Sequence, residues 1–251
     1  MLKSPARDVV VVHSSDLHVD HDYTARLHGG DGTTGLACVL AASRDNGADV
    51  VMLAGDTFDH HRVPQQLVER AAEVIAASPL PVVLLPGNHD PAVATAVYRH
   101  SALAAVKNLH VLGITHDEAI DFPELSLEIW GRAHHDYADM IPFESVRVRR
   151  TRWLIAMAHG HYEPKPQYGD GPRPSWLISD EEIAATGADY VALGHWNRPL
   201  RVGNGKVPAY YSGSPEFAGT INIVRLSETN GVTVIRAPLD IAREVVEDAS
   251  E

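Results

Sequence analysis

Three short runs constrain this chain more than anything else in it: DVVVVHSSD at 8–16, ADVVMLAGD at 48–56 and LPVVLLPGNHD at 80–90. Each is apolar and largely β-branched, without polar alternation, and each breaks into Gly, Ser, Asp or Asn. A strand that reads this way is buried on both faces, the habit of parallel sheets covered by helices. The intervening segments, residues 33–48 and 64–78, place apolar residues at helical spacing, with Pro64 suited to a first helical turn. GTTG at 32–35 lacks the spacing of a phosphate-binding loop and reads as a helix start. The pattern is βαβαβ, which makes this an α/β chain.

The second half is richer in strands. They are expected at LHVLGI (109–114), LSLEIWG (125–131), RWLIAMAHG (152–160), DYVALGH (189–195) and AYYSG (209–213). INIVRL at 221–226 and VTVIRA at 232–237 flank SETNG, which reads as a hairpin turn. A further helix is expected over 92–107, and residues 162–176 are the expected lid or linker. With 251 residues and 45% hydrophobic content, a single domain over 1–251 is the expectation.

Polar residues fall where such strands end. Asp16 and His18 follow the first run, Asp56 and Asp59 the second, Asn88, His89 and Asp90 the third, His159 and His161 a later one, and His195 the next. The carboxyl ends of strands in an open α/β sheet form its ligand-binding edge, so five segments are placed to converge there. A lone Asp after a strand is most often a turn residue or helix cap. Five such segments together point to a metal centre. Carboxylate and imidazole without thiolate favour Mn, Fe or Zn, and Cys38 is the only cysteine, which excludes a disulfide framework and suits a reducing compartment. The formal charge of −12 disfavours a strong non-specific grip on nucleic acid, although bound divalent cations reverse the field locally. No apolar run is long enough to span a membrane and the opening is not a signal peptide, so a soluble cytoplasmic protein is the expectation.

Asp16-Leu17-His18, Gly55-Asp56-Thr57-Phe58-Asp59, Gly87-Asn88-His89-Asp90, Ala158-His159-Gly160 and Gly194-His195-Trp196 resemble, in that order, the signature blocks of the calcineurin-like metallophosphoesterase superfamily. AGDTFDH at 54–60 and YYSGSPEF at 210–217 resemble the branch that contains the bacterial SbcD exonuclease. The resemblance implies a four-layer sandwich of two mixed β-sheets flanked by helices, and a phosphoesterase with two divalent ions, Mn first and Fe or Zn as alternatives. It implies that Asp16 and His18 hold the first metal, that Asp56 bridges both, and that Asn88, His159 and His195 complete the second. His89 is then the catalytic acid or hydrogen-bond donor beside the phosphate, and a bridging hydroxide attacks phosphorus in line with the leaving oxygen. Asp59, Asp90 and His161 are expected to support the ligands or meet substrate.

The family's last block usually reads Gly-His-x-His, with the second His on the first metal; here that position is Asn197. An amide oxygen is a harder and usually weaker donor, so the expectation is a weakened first site that prefers a harder ion or fills when substrate arrives. His161, His21 and His134 or His135 are the candidates to compensate. VRVRRTR at 146–152 either guides a nucleic-acid backbone or is the solvated face of a strand or extended linker. Trp196 and Tyr168 either stack on a base or pack the rim, and His60 or His61 lines the cleft mouth.

The SbcD-like branch usually carries a capping domain after the core; little chain follows SGSPEF here, so no capping domain is evident. The first functional reading is a nuclease-like phosphodiesterase acting on single-stranded nucleic acid or a nucleotide. A nucleotide or cyclic-nucleotide phosphodiesterase or a phosphatase is the alternative, and a non-enzymatic metal-containing binding module stays open as another class. A partner ATPase, or a homodimer through residues 64–78 and 92–107, also stays open.

Overall fold

The computed structural model describes residues 7–20, 22–136, 140–166 and 175–241. His21 and Tyr168 lie outside the described residues. So does much of the expected lid.

In the first half, β1 (Val9–Ser14), α1 (Tyr23–Leu27), α2 (Thr34–Asp45), β2 (Val50–Ala54), α3 (Gln65–Ala76) and β3 (Val82–Leu85) lead through α4 (Ser101–Ala104) to β4 (Leu109–Val111). There follow β5 (Ala119–Phe122), β6 (Leu127–Gly131), β7 (Trp153–His159), β8 (His161–Tyr162), β9 (Leu177–Ile178), α5 (Asp180–Ala185) and β10 (Tyr190–Gly194). The last elements are β11 (Leu200–Val202), β12 (Ala209–Tyr211), α6 (Pro215–Ala218), β13 (Thr220–Ser227) and β14 (Gly231–Pro238).

Two six-stranded sheets form, ordered β14-β13-β1-β2-β3-β4 and β11-β12-β10-β7-β6-β5. In the first, β1 through β4 run parallel, while β13 and β14 add an antiparallel hairpin. In the second, β6, β7, β10 and β12 run parallel and the edges β5 and β11 are antiparallel. Both sheets are therefore mixed.

The unbroken apolar character of the first strands follows from a period of two with both faces covered. Val10 and Val12 of β1 point outward to pack with Leu36, Val39 and Leu40 of α2, and with Val68 and Ile75 of α3. Val9 and Val11 point inward, where Met52 and Leu85 meet Ile129, Ile155 and Met157 of the second sheet. The second sheet's outer face buries Leu154, Ala156, Val191 and Leu193 against Ile183 of α5. Helix, sheet, sheet and helix make four layers.

Two local expectations shift. Residues 92–107 do not form one helix: Ala96 and His100 are extended, at ψ 139° and 137°, leaving a 3₁₀ turn at Val97–Arg99 and the short α4. Pro64 stands at the N-cap of α3, one place before its first turn. Residues 146–150 are irregular, a linker between β6 and β7.

Candidate metal centre

The carboxyl ends of β1, β2, β3, β7 and β10 deliver Asp16, His18, Asp56, Asn88, His159 and His195 to one edge. Three groups form there with ligand-type atoms within 4.8 Å of one another: Asp16 with His18 and Asp56, Asp56 with His159 and His195, and His18 with Asp59 and His89. Asp56 and His18 each belong to two of them.

The backbone is bent to achieve this. Asp16, His18, Asp56 and His195 all adopt positive φ, at 55°, 46°, 50° and 104°. Non-glycine residues there are uncommon and strained, and they cluster where a side chain must be aimed. Cross-loop hydrogen bonds hold the bends: Asp16 N–H donates to the Gly55 carbonyl and His18 N–H to that of Asp56, each at 3.0 Å. Gly87 is required by close approach, since a Cβ there would overlap the Asp56 carboxylate. Gly55 is required twice, by φ of 91° and by the His159 ring against it.

Around Asp56 the cluster is dense. His159 Nε2 lies 3.0 Å from Asp56 Oδ2 and 3.0 Å from Asn88 Oδ1, while its Nδ1 donates to the Ala54 carbonyl at 2.9 Å. That last bond fixes the tautomer, with Nδ1 carrying hydrogen and Nε2 facing the cluster. Asn88 Oδ1 also lies 3.2 Å from His195 Nδ1, and the His89 amide donates to Asp56 Oδ1 at 2.9 Å. Burial works to lower the His159 pKa, but the charge and hydrogen bond of Asp56 overcome it and push it up to about 9. Burial works to raise Asp56; His159 and His18 prevail and hold it far below the usual carboxylate range. His195 is lowered to about 4 by burial and then by the neighbouring His159 charge.

Asp16 accepts the His195 amide on both carboxylate oxygens at 3.0 Å, and burial pushes its pKa up. Asp59 touches two histidines: its Oδ1 lies 3.0 Å from His18 Nδ1 and 3.4 Å from His89 Nδ1. The His18 bond holds Asp59 below its ordinary pKa, and Asp59, Asp56 and Asp16 raise His18 against the opposing effect of burial. His89 is exposed, with Nδ1 held 2.9 Å from the Asp59 carbonyl.

The other expected residues fall elsewhere. Asp90 is fully buried and faces the protein: it accepts from Gly87 N–H at 2.7 Å, from Phe58 N–H at 3.0 Å and from the Tyr98 hydroxyl. It locks the two loops together. His161 lies outside the three groups and accepts from Trp196 Nε1 at 3.2 Å. Trp196 stacks on Tyr211 with ring centroids 4.8 Å apart and planes 9° apart, a rim-packing role. Asn197 is exposed, and its carbonyl accepts from Ser214 N–H at 3.2 Å. Of the candidates to compensate for it, His134 is buried against the His159 carbonyl and His135 is exposed. The arginines of 146–152 are engaged by the chain's own carboxylates, Arg147 and Arg150 with Glu128 and Arg149 with Asp189. Tyr98 and Trp176, whose ring stands 5.9 Å from that of His195, escaped sequence reading because neither belongs to a motif.

A sandwich of two mixed sheets gathers acid and imidazole groups at one strand edge, where open α/β sheets bind ligands. The chain belongs to the calcineurin-like phosphoesterase family, whose model matches residues 9–199. It is similar to the SbcD component of the nuclease SbcCD from Bacillus subtilis, 25% identical over 82% of this chain and 61% of that protein. It is also similar to the DNA double-strand break repair protein Mre11 of Aeropyrum pernix, 24% identical over 88% of this chain and 55% of that one. The chain thus spans between half and two thirds of the length of these relatives. Among solved structures, TT1561 of Thermus thermophilus shares the fold with a TM-score of 0.58 at 12% identity, covering 92% of this chain and 99% of that one. Among the described residues no helix is long and apolar enough to cross a membrane.

Proposed function

We propose that this chain is a phosphodiesterase of nuclease-like character that works with two divalent ions. The observation that carries the reading is the double membership of Asp56, grouped with Asp16 and His18 on one side and with His159 and His195 on the other. A carboxylate shared in this way suits a pair of ions straddling an in-line displacement. The donor set fits such ions, with Asp16, His18 and Asp56 for one and Asp56, Asn88, His159 and His195 for the other. Asn197 remains the proposed weak ligand at the first. Imidazole and carboxylate without thiolate favour manganese, with iron or zinc as alternatives. Bound there, the ions would polarise the phosphoryl oxygens and lower the pKa of a water.

The chain's own residues do the rest. His89 donates through Nδ1 to the Asp59 carbonyl, so Nε2 has a proton to pass to the leaving oxygen, or to share with developing charge, when the ring is the doubly protonated imidazolium. Asp59 aligns His18 and His89 together, and the Ala54 carbonyl fixes the His159 ring. Deep burial of Asp56 and His159 keeps water from competing on that side.

The proposed substrate is a single-stranded nucleic acid or nucleotide ester. A second reading, a nucleotide or cyclic-nucleotide phosphodiesterase or a phosphatase, is favoured by the arginines of 146–152: paired internally, they offer little grip on a long phosphate backbone. Mn-dependent hydrolysis of a chromogenic phosphodiester, beside the matching monoester and with His89→Ala as control, tests both. Diester turnover that collapses in the control supports the first; monoester turnover alone supports a phosphatase. No turnover of either by folded, metal-loaded protein overturns the enzymatic reading.

A further inference from the structure

Beside the ligand groups lies a cleft of about 280 Å³, lined by Asp16, His18 and Asp59 of the centre and by Tyr23, Glu216 and Phe217. Tyr23 and Phe217 are 52% and 62% exposed, and they are the two aromatic side chains among the large hydrophobics exposed in the described residues. One such ring in water is ordinary on a protein surface. Two lining the same cleft, next to a phosphoester centre, make a stacking platform.

The walls that carry them are tied to each other and to the centre. Tyr23 opens α1, whose first turn is capped by Asp20 Oδ1 accepting from Thr24 N–H at 2.8 Å. The Thr24 hydroxyl donates to the His18 carbonyl at 2.9 Å, so the ring is registered against a candidate ligand. Phe217 sits in α6, where its N–H donates to Ser214 Oγ at 3.3 Å, and Ser214 N–H binds the Asn197 carbonyl. His28 at the end of α1 and Glu216 in α6 join the walls through a buried contact of 2.9 Å, with side-chain exposures of 1% and 6%. The two segments that carry the rings are thereby tied together before any ligand arrives.

Charge narrows the occupant. Asp16, Asp20, Asp59 and Glu216 line the cleft, and no Lys or Arg does among the described residues. A second phosphate there would meet like charge, whereas a planar uncharged ring would not.

We propose that this cleft is a subsite for a nucleobase on the sugar esterified to the scissile phosphate, gripped by Tyr23 and Phe217. The inference rests on the phosphodiesterase reading of the adjacent cluster.

Calorimetric titration of Mn-loaded protein with adenosine 5′-monophosphate and with ribose 5-phosphate tests it. The base-bearing ligand binds roughly tenfold more tightly, the size expected for one stacked base. The combined Tyr23→Ala and Phe217→Ala variant loses that ratio, while the combined Tyr23→Phe and Phe217→Tyr variant keeps it. Equal affinity of wild-type protein for the two ligands, or no binding of either, overturns the subsite even if diesters are hydrolysed. A base-dependent ratio in a protein that hydrolyses no ester would instead sink the phosphodiesterase reading and leave the subsite standing.

Discussion

Asp56 and His159 keep 2% and 0% of their surface exposed, whereas the side chains of His18 and Asp59 keep 26% and 38%. The two halves of the centre differ in more than depth. On the buried half, Asn88 Oδ1 stands between His159 and His195, and His159 is anchored by Ala54, so ligand geometry is set in advance. On the exposed half, His18 depends on Asp59, and the position at which the family usually supplies a second imidazole carries the exposed Asn197. The difference teaches that the substitution falls where the protein already invests least in rigidity. An ion on the buried half should bind tightly, and one on the exposed half should bind weakly and be completed by substrate oxygens.

The largest expected effect tests whether the halves are joined at all. Asp56→Ala removes the carboxylate common to both groups, and bound manganese, measured by equilibrium titration at saturating metal, should fall from about two per chain toward none, with turnover lost. Retention of one ion in that variant would show that the halves bind independently. Next comes His89→Ala, expected to lower kcat by about 10²- to 10⁴-fold with metal content unchanged, which assays of initial rate and metal content together can check.

Asp59→Asn should act on the exposed half alone. Weaker orientation of His18 and His89 predicts a loss of about 10- to 100-fold in affinity for the weaker ion, with the tight ion unaffected in the same titration. The reverse change, Asn197→His, should strengthen the weaker site severalfold for zinc and less for manganese, because imidazole is the softer donor. Equal gains with both metals would break the proposed preference.

A separate effect concerns stability behind the centre. His13 is fully buried, bonded through Nδ1 to the Tyr190 hydroxyl at 2.9 Å, and burial lowers its pKa to about 3. Its unfolded form takes up a proton near pH 6.5 and its folded form does not until about 3, so folding stability falls as pH drops through that window. Urea unfolding of chelator-treated protein between pH 7 and 4 should show this slope, reduced by up to one proton in His13→Gln.

Much of the first half was legible because burial on both faces leaves an unambiguous mark. The runs containing Val9–Ser14, Val50–Ala54 and Val82–Leu85 could be read as strands from composition alone, and α2 and α3 from positions 36, 39, 40, 43 and 68, 71, 72, 75. The helix expected over 92–107 failed because its apolar residues pack on the sheet from an extended backbone at Ala96 and His100. β5 and β11 went unread because they are short edge strands with partly exposed faces. α5 buries Ile183 alone, so its periodicity is faint, although its capping box of Ser179 and Glu182 was a usable signal.

The sequence by itself determined which residue types stand at the strand ends, and hence the class of chemistry, because motif and hydrophobic period are local properties. It also determined that Asn replaces an imidazole at 197. Tertiary structure alone decided that Asp90 is a brace, that the arginines are spent on Glu128 and Asp189, and that Tyr23 and Phe217 line one cleft. Those facts depend on positive-φ turns and on contacts between residues far apart in the chain, which no local pattern encodes.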